Sequence, residues 1–142
     1  MLAGEGGRDL LYFIPLQRSH DFPLKLTPLN FQATIYSGTS VSYDPTENRI
    51  YWWGGYGDIY RAFLNGSSSE PLIRQIQGLR DIKVDLVGRN IYYSQQYANA
   101  IRVSTLDGFH ETVLLNVASL RGITLDSFSG YELLILLFLN SL

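Results

Sequence analysis

An internal repeat constrains the fold of this chain more than any other sequence feature. A short apolar stretch that ends in Asp occurs three times, with the acid at Asp44, Asp85 and Asp126. The spacing is 41 residues in both intervals. Repeats of this length are typical of proteins in which each unit buries its apolar face against the next. The 142 residues therefore hold fewer than three and a half units.

Each unit carries the signals of four short strands. Runs of Ile, Tyr and Trp favour strands, and Asn65-Gly66 and Asp107-Gly108 are hairpin signals. We expect strands at 41–43, 49–53, 59–64 and 71–75, and again at 82–84, 90–94, 101–106 and 112–115. Four antiparallel strands in about 40 residues is the size of a propeller blade. The predicted fold class is all-β, a partial β-propeller with about three four-stranded antiparallel blades.

Composition excludes several functions. The formal charge of −2 gives no electrostatic footprint for nucleic acid or an anionic membrane. The absence of Cys excludes a disulfide framework and a thiolate nucleophile. The apolar run at 133–139 is much shorter than the roughly 20 residues of a membrane span. We therefore expect no nucleic-acid partner, no membrane insertion by this segment, and no signal peptide in this chain.

The repeated residues resemble the YWTD repeat, also called the low-density lipoprotein receptor class B repeat, over about residues 10–131. The matching segments are Tyr43-Asp44-Pro45, Asn48-Arg49-Ile50-Tyr51-Trp52, Leu64-Asn65-Gly66, Val84-Asp85, Ile91-Tyr92-Tyr93, Leu106-Asp107-Gly108 and Gly122-Ile123-Thr124-Leu125-Asp126. The resemblance implies a six-bladed β-propeller, usually beside EGF-like modules. Such domains belong to the extracellular parts of endocytic receptors, Wnt co-receptors and nidogen, where they bind proteins and do no chemistry.

The chain departs from the family pattern in two ways. The Thr and Asp of the motif are replaced by Trp53 and Gly54 in the first unit, and by Ser94 and Gln95 in the second. Six blades also need about 260 residues, so we expect a fragment whose missing blades belong to a longer parent. The predicted organisation is a disordered N-terminus at 1–9, a partial propeller at 10–131 and an atypical apolar tail at 132–142. The repeat units within the propeller are about 41–81, 82–122 and a truncated 123–131.

Two interpretations of the repeated Asp44, Asp85 and Asp126 stay open. A ring of carboxylates could bind a cation, as in calcium-dependent propeller hydrolases. Alternatively, each Asp accepts backbone N–H groups in the turn after its strand. We favour the structural role, and predict no catalytic residue, cofactor or metal. A structural role is also expected of the other repeated residues, which are Tyr51, Trp52, Gly66, Tyr92, Tyr93 and Gly108.

Two kinds of surface site follow from the pattern. Asn65 begins an Asn-Gly-Ser sequon and is a glycosylation candidate. Trp53, Tyr56 and Tyr97 fall at or beyond strand ends, where they could bind a protein partner or pack between blades. The predicted function is a non-enzymatic extracellular protein-binding module from a lipoprotein-receptor-related ectodomain, on the outer side of the plasma membrane or secreted. The alternatives are a nidogen-like matrix domain and a calcium-dependent hydrolase.

Overall fold

Strands are the regular elements of the part of the chain that the structure describes. The computed structural model describes residues 12–13, 27–28, 40–54, 56–126 and 132–137. Strand β1 (Tyr12–Phe13) is antiparallel to β2 (Thr27–Pro28). The predicted disordered N-terminus at 1–9 lies outside the described residues, as do residues 138–142 of the predicted tail. The described ranges contain no helix that is long and apolar enough to cross a membrane.

The first two repeat units each form a four-stranded antiparallel sheet, as the sequence predicts. The first sheet consists of β3 (Val41–Asp44), β4 (Arg49–Gly54), β5 (Asp58–Phe63) and β6 (Glu70–Ile73). The second consists of β7 (Leu79–Asp85), β8 (Asn90–Gln95), β9 (Ala100–Thr105) and β10 (Thr112–Asn116). Within each sheet the strands follow one another in chain order. This is the order of a propeller blade, in which each strand turns back beside the one before it.

A third sheet begins after the second. Strand β11 (Leu120–Asp126) is antiparallel to β12 (Glu132–Leu137), which is formed by residues that the sequence assigns to the apolar tail. The register shifts between Leu120 and Gly122 here, as it does between Leu79 and Asp81 in the sheet before. The two β-bulges are one repeat period apart. β11 and β12 therefore reproduce the first two strands of a blade.

The sheets pack side by side through their first strands, because β7 contacts both β3 and β11. The second strand of each complete sheet has consecutive aromatic residues, which pack on opposite faces of that sheet. Tyr51 and Tyr93 are fully buried in one core, between the first sheet and the second. Trp52 points to the opposite side of the first sheet, and Tyr92 packs with Ile101, Leu120 and Ile123 on the side of the third. Because neighbouring residues of a strand face opposite sides, two consecutive aromatics serve two cores.

The connections between the third and fourth strands are loops and not two-residue hairpins. Residues 64–69 separate β5 from β6, and the backbone is left-handed at Gly66 and Gly108, with φ of 85° and 87°. The Oδ1 atom of Asn65 accepts a hydrogen bond from the Ser67 N–H at 2.9 Å. Asp107 makes the corresponding contact with the Phe109 N–H. The Asn and Asp side chains thus close these turns, and φ is positive at the Gly of each pair and again two residues later, at Ser68 and His110.

Candidate functional site

The three aromatic residues singled out in the sequence line one cleft between the first two sheets. Trp53 lies near the end of β4, Tyr56 in the loop from β4 to β5, and Tyr97 in the loop from β8 to β9. The cleft has a volume of about 640 Å³. It is also lined by residues 75–80, which are the end of the connection from the first sheet to the second and the start of β7. Two successive repeat units therefore contribute to one site.

Backbone hydrogen bonds hold this connection between the loops of both sheets. The Ile76 N–H donates to the Gly57 carbonyl at 2.7 Å, and the Gln96 N–H donates to the Gly78 carbonyl at 2.8 Å. The Gln75 N–H donates to Oδ1 of Asp58, also at 2.8 Å. Each loop that carries an exposed Tyr is thus fixed to the same connecting segment. The site is preorganised, because the backbone that carries the side chains is held on both sides of the cleft.

Gly78 is required at the wall of the cleft. Its φ is +71°, and a Cβ at this position would lie 2.8 Å from Cγ of Tyr97. Any other residue would therefore meet both the strain of a left-handed backbone and the Tyr97 ring. The absence of a side chain at Gly78 lets Tyr97 lie directly against the chain.

The cleft is aromatic and polar, with one cation. Tyr56 and Tyr97 are 88% and 76% exposed, whereas Trp53 is half-buried and packs on the core between the sheets. The Arg80 guanidinium donates to Oε1 of Gln96, and the residues that line the cleft include no carboxylate. Trp, Tyr and Arg are the residues that dominate protein–protein binding energy. The cleft therefore presents two exposed tyrosine rings beside one guanidinium.

Asp44 and Asp85 occupy equivalent turns and accept backbone hydrogen bonds there. Oδ1 of Asp44 accepts from the Thr46 N–H at 2.9 Å, and Oδ1 of Asp85 accepts from the Val87 and Gly88 N–H groups at 3.0 Å. The side chain of Asp126 lies outside the described residues. In the described ranges, no three His, Asp or Glu side chains are grouped so that they could hold a metal ion.

Asp44 differs from Asp85 because it is completely buried and has a cationic partner. Its Oδ2 lies 2.8 Å from an Nη atom of Arg89, in the next repeat unit. Burial acts to raise the pKa of Asp44, but the hydrogen bond and charge of Arg89 and the Thr46 N–H hold that pKa below its ordinary value of 3.8. Arg89 also lies 2.6 Å from the Glu47 carboxylate. This ion-pair group joins the first and second sheets on the side away from the cleft.

Asn65 is exposed in the loop between β5 and β6. Its side-chain oxygen accepts from the Ser67 hydroxyl at 2.7 Å. Both polar residues of the sequon therefore lie in one surface turn, and the site stays a glycosylation candidate.

Ser40 and Asp81 link neighbouring sheets, and the sequence analysis did not identify them. The Ser40 hydroxyl donates to Oδ1 of Asp81 at 2.5 Å, and Oδ2 of Asp81 accepts from the Ile123 N–H at 3.1 Å. Asp81 therefore joins three successive sheets. Positions 40, 81 and 122 are one period apart, so alignment of the repeats would have brought them together, but Ser, Asp and Gly share no pattern.

Similar proteins were found by sequence and by structure, but not among models of protein families. A scan against models of protein families matches none of them. The low-density lipoprotein receptor-related protein 5 of Mus musculus is 33% identical over 75 residues, which is 49% of this chain and 5% of the mouse protein. The chain thus spans a small fraction of that relative.

Among solved structures, the crystal structure of a nidogen/laminin complex matches with a TM-score of 0.70 and 24% identity. The match covers 87% of this chain and 48% of the other. A GH74 enzyme of Niastella koreensis gives a TM-score of 0.49 at 14% identity, which is too low to carry an argument. The receptor and nidogen matches, with the four-stranded antiparallel sheets, confirm the predicted partial β-propeller and the resemblance to the YWTD, or low-density lipoprotein receptor class B, repeat family.

Proposed function

We propose that this chain is part of an extracellular, six-bladed YWTD-type β-propeller whose function is to bind protein, without catalysis. The observation that carries the proposal is the cleft in which Trp53, Tyr56 and Tyr97 from two successive blades come together. Exposed aromatic side chains held on rigid backbone lose little entropy when they bind, so they supply affinity efficiently.

The parent protein, in this proposal, belongs to the lipoprotein-receptor-related type and supplies the remaining blades. The match to a receptor-related protein supports this assignment over the nidogen-like alternative. That protein is 33% identical to this chain over 75 residues, whereas the matched nidogen/laminin structure is 24% identical. In the same proposal, the parent is of the endocytic or the Wnt co-receptor type. Its place is the outer side of the plasma membrane or the extracellular space.

The test is a selection of peptides from a random displayed library on the purified chain, followed by affinity measurement with the variants Tyr56→Ala and Tyr97→Ala. Each substitution should weaken binding of the selected peptides about tenfold or more, because truncating a central aromatic anchor typically costs at least about 1–2 kcal/mol. The matched control is Phe109→Ala, which removes an aromatic side chain that is 65% exposed in the loop between β9 and β10.

Retention of affinity in both Tyr variants, or an equal loss in Phe109→Ala, would contradict the proposed site. The nidogen-like alternative has a direct probe as well, since the nidogen structure is a complex with laminin. Binding of laminin to the wild-type chain would be measured by surface plasmon resonance. Binding that is lost with the Tyr97→Ala variant would favour the matrix role.

A further inference from the structure

The outermost strand of the second sheet, β10, is exposed and consists of uncharged residues. β10 is the last strand of its sheet in the described residues, and it pairs on one side with β9. All five of its residues, Thr112–Asn116, are exposed, with Val113, Leu114 and Leu115 at 42%, 48% and 41%. Alternate N–H and C=O groups of an antiparallel strand point away from its partner. Those groups of β10 are an open template for another strand.

The corresponding strand of the first sheet is protected. Pro71 of β6 and Val113 of β10 occupy the same place, since each is the last paired residue before a register shift. Pro71 has no N–H to offer to a new strand. Glu70 beside it lies 2.7 Å from Arg61, which places charge on that edge. Because both strands contain the bulge, the bulge does not distinguish them. The charge does not distinguish them either, because Arg102 of β9 lies 2.6 Å from Glu111, just before β10. The difference lies in the proline.

The position of β10 keeps it accessible in a larger assembly. The sheets contact one another through their first strands, β3, β7 and β11, and β10 is the strand furthest from β7 in its sheet. Further blades packed in the same way would place their first strands beside β3 or β11, at the two ends of the series β3, β7 and β11. They would leave the outer edge of the second blade uncovered.

We propose that β10 is a self-association edge, on which the β10 strand of a second copy of this chain pairs antiparallel about a two-fold axis at Leu114. In this register Thr112 faces Asn116, Val113 faces Leu115, and Leu114 faces its own copy. Polar residues thus meet polar residues, apolar meet apolar, and no like charges oppose each other. Such an interface is isologous, which is the usual form for a homodimer.

The self-complementary sequence is what favours a second copy over a foreign segment. Pairing by strand addition gains main-chain hydrogen bonds with any extended peptide, but matched side chains fix the partner and the register. Two five-residue strands bury much less than the roughly 1,000 Å² of a stable interface, so the dimer is weak and transient.

The experiment is sedimentation velocity of the full chain from about 5 µM to about 500 µM, a range suited to a weak interface. The wild type should shift toward dimer as concentration rises. Leu114→Lys and Leu114→Glu should each stay monomeric, because like charges then face each other on the two-fold axis. An equimolar mixture of the two variants should dimerise again, at least as strongly as the wild type.

The control is Val87→Lys, which puts the same charge on an apolar side chain that is 64% exposed in the turn after β7. It should dimerise as the wild type does. Circular dichroism melting curves would show that each variant is folded, and peptide binding in the cleft should be unchanged in Leu114→Lys. The proposal would be overturned by a wild type that is monomeric throughout, by association insensitive to position 114, or by a mixture that stays monomeric.

Discussion

Ser40 and Asp81 occupy the same position in two successive repeat units, and their side chains are hydrogen-bonded across the seam between the blades at 2.5 Å. The same pattern recurs one unit later, because Asp81 accepts from the Ile123 N–H while Ser40 accepts from the Ile82 N–H. A position at the start of each blade therefore serves as the acceptor for the following blade. In the third unit that position is Gly122, which has no side chain to continue the series.

Asp81→Ala should destabilise the fold because it removes the group that joins three sheets. We expect the free energy of unfolding to fall by about 2 kcal/mol, the usual cost of losing hydrogen bonds to a charged, partly buried group. Urea denaturation measures it. Glu70→Ala is the control, since its carboxylate is half exposed in a surface pair with Arg61 and should cost less than about 1 kcal/mol. Equal effects of the two substitutions would show that Asp81 has no special role between blades.

The buried Asp44 should make stability depend on pH in the acid range. Its pKa is lowered in the folded state, so the folded chain binds this proton less tightly than the unfolded chain. The stabilisation is therefore fully present above the ordinary pKa of 3.8, and is lost as the pH falls below it through the lower folded-state pKa. Urea denaturation between pH 7 and pH 2 would measure this loss.

Asp44→Asn isolates the contribution of Asp44 from those of other acids. At neutral pH the variant should be less stable than the wild type by about 2 kcal/mol, because it loses a charge-assisted bond with Arg89. The difference between the two proteins should shrink as the pH falls. A constant difference from neutral to acid pH would mean that the Asp44 charge does not stabilise the fold.

Gly78→Ala should damage the cleft by two separable effects. One is the backbone cost, which combines strain at positive φ, about 1 kcal/mol, with the approach of the new Cβ to the Tyr97 backbone nitrogen at 2.9 Å, and the other is the clash between that Cβ and the Tyr97 ring. A double-mutant cycle separates them. Removal of the ring in Tyr97→Ala should reduce, but not abolish, the cost of Gly78→Ala in urea denaturation. Purely additive costs would show that the ring does not rest against Gly78.

Asn65 should carry a glycan when the chain is made in the secretory pathway of mammalian cells behind an added leader. The site lies in an exposed turn, so a glycan can be attached there without local unfolding. Mass spectrometry before and after treatment with peptide-N-glycosidase would detect the modification. Asn65→Gln and Ser67→Ala should both abolish it, and a glycosidase-sensitive shift that survives either substitution would exclude this site.

The repeat period and the strand-forming residues suffice to predict the two complete sheets. The ends of strands were less predictable, because they depend on contacts far along the chain. β6 ends at Ile73, two residues before the prediction, since the Gln75 and Ile76 N–H groups turn to Asp58 and Gly57 instead of continuing the ladder. β7 begins at Leu79, three residues early, because a bulge lengthens it.

Three residues of the candidate site were singled out from the sequence, but its other members and its arrangement were not. Trp53, Tyr56 and Tyr97 stand out as aromatic residues near strand ends, and all three line the cleft. No local sequence pattern predicts that the connection at 74–78 is hydrogen-bonded to both loops and brings them together. Likewise, Asp81 contacts residues 41 and 42 positions away. Such contacts depend on how the blades pack, and no single unit contains that information.

Strand β12 has consequences for how a propeller repeat can change over time. Its residues, Glu132–Leu137, lack the aromatic signature, yet they pair with β11 around the same bulge that the preceding sheet has. The strand pairing of a blade thus tolerates loss of the aromatic residues by which the repeat is recognised. A lineage can therefore lose the signature in one unit while that unit keeps its strand pairing.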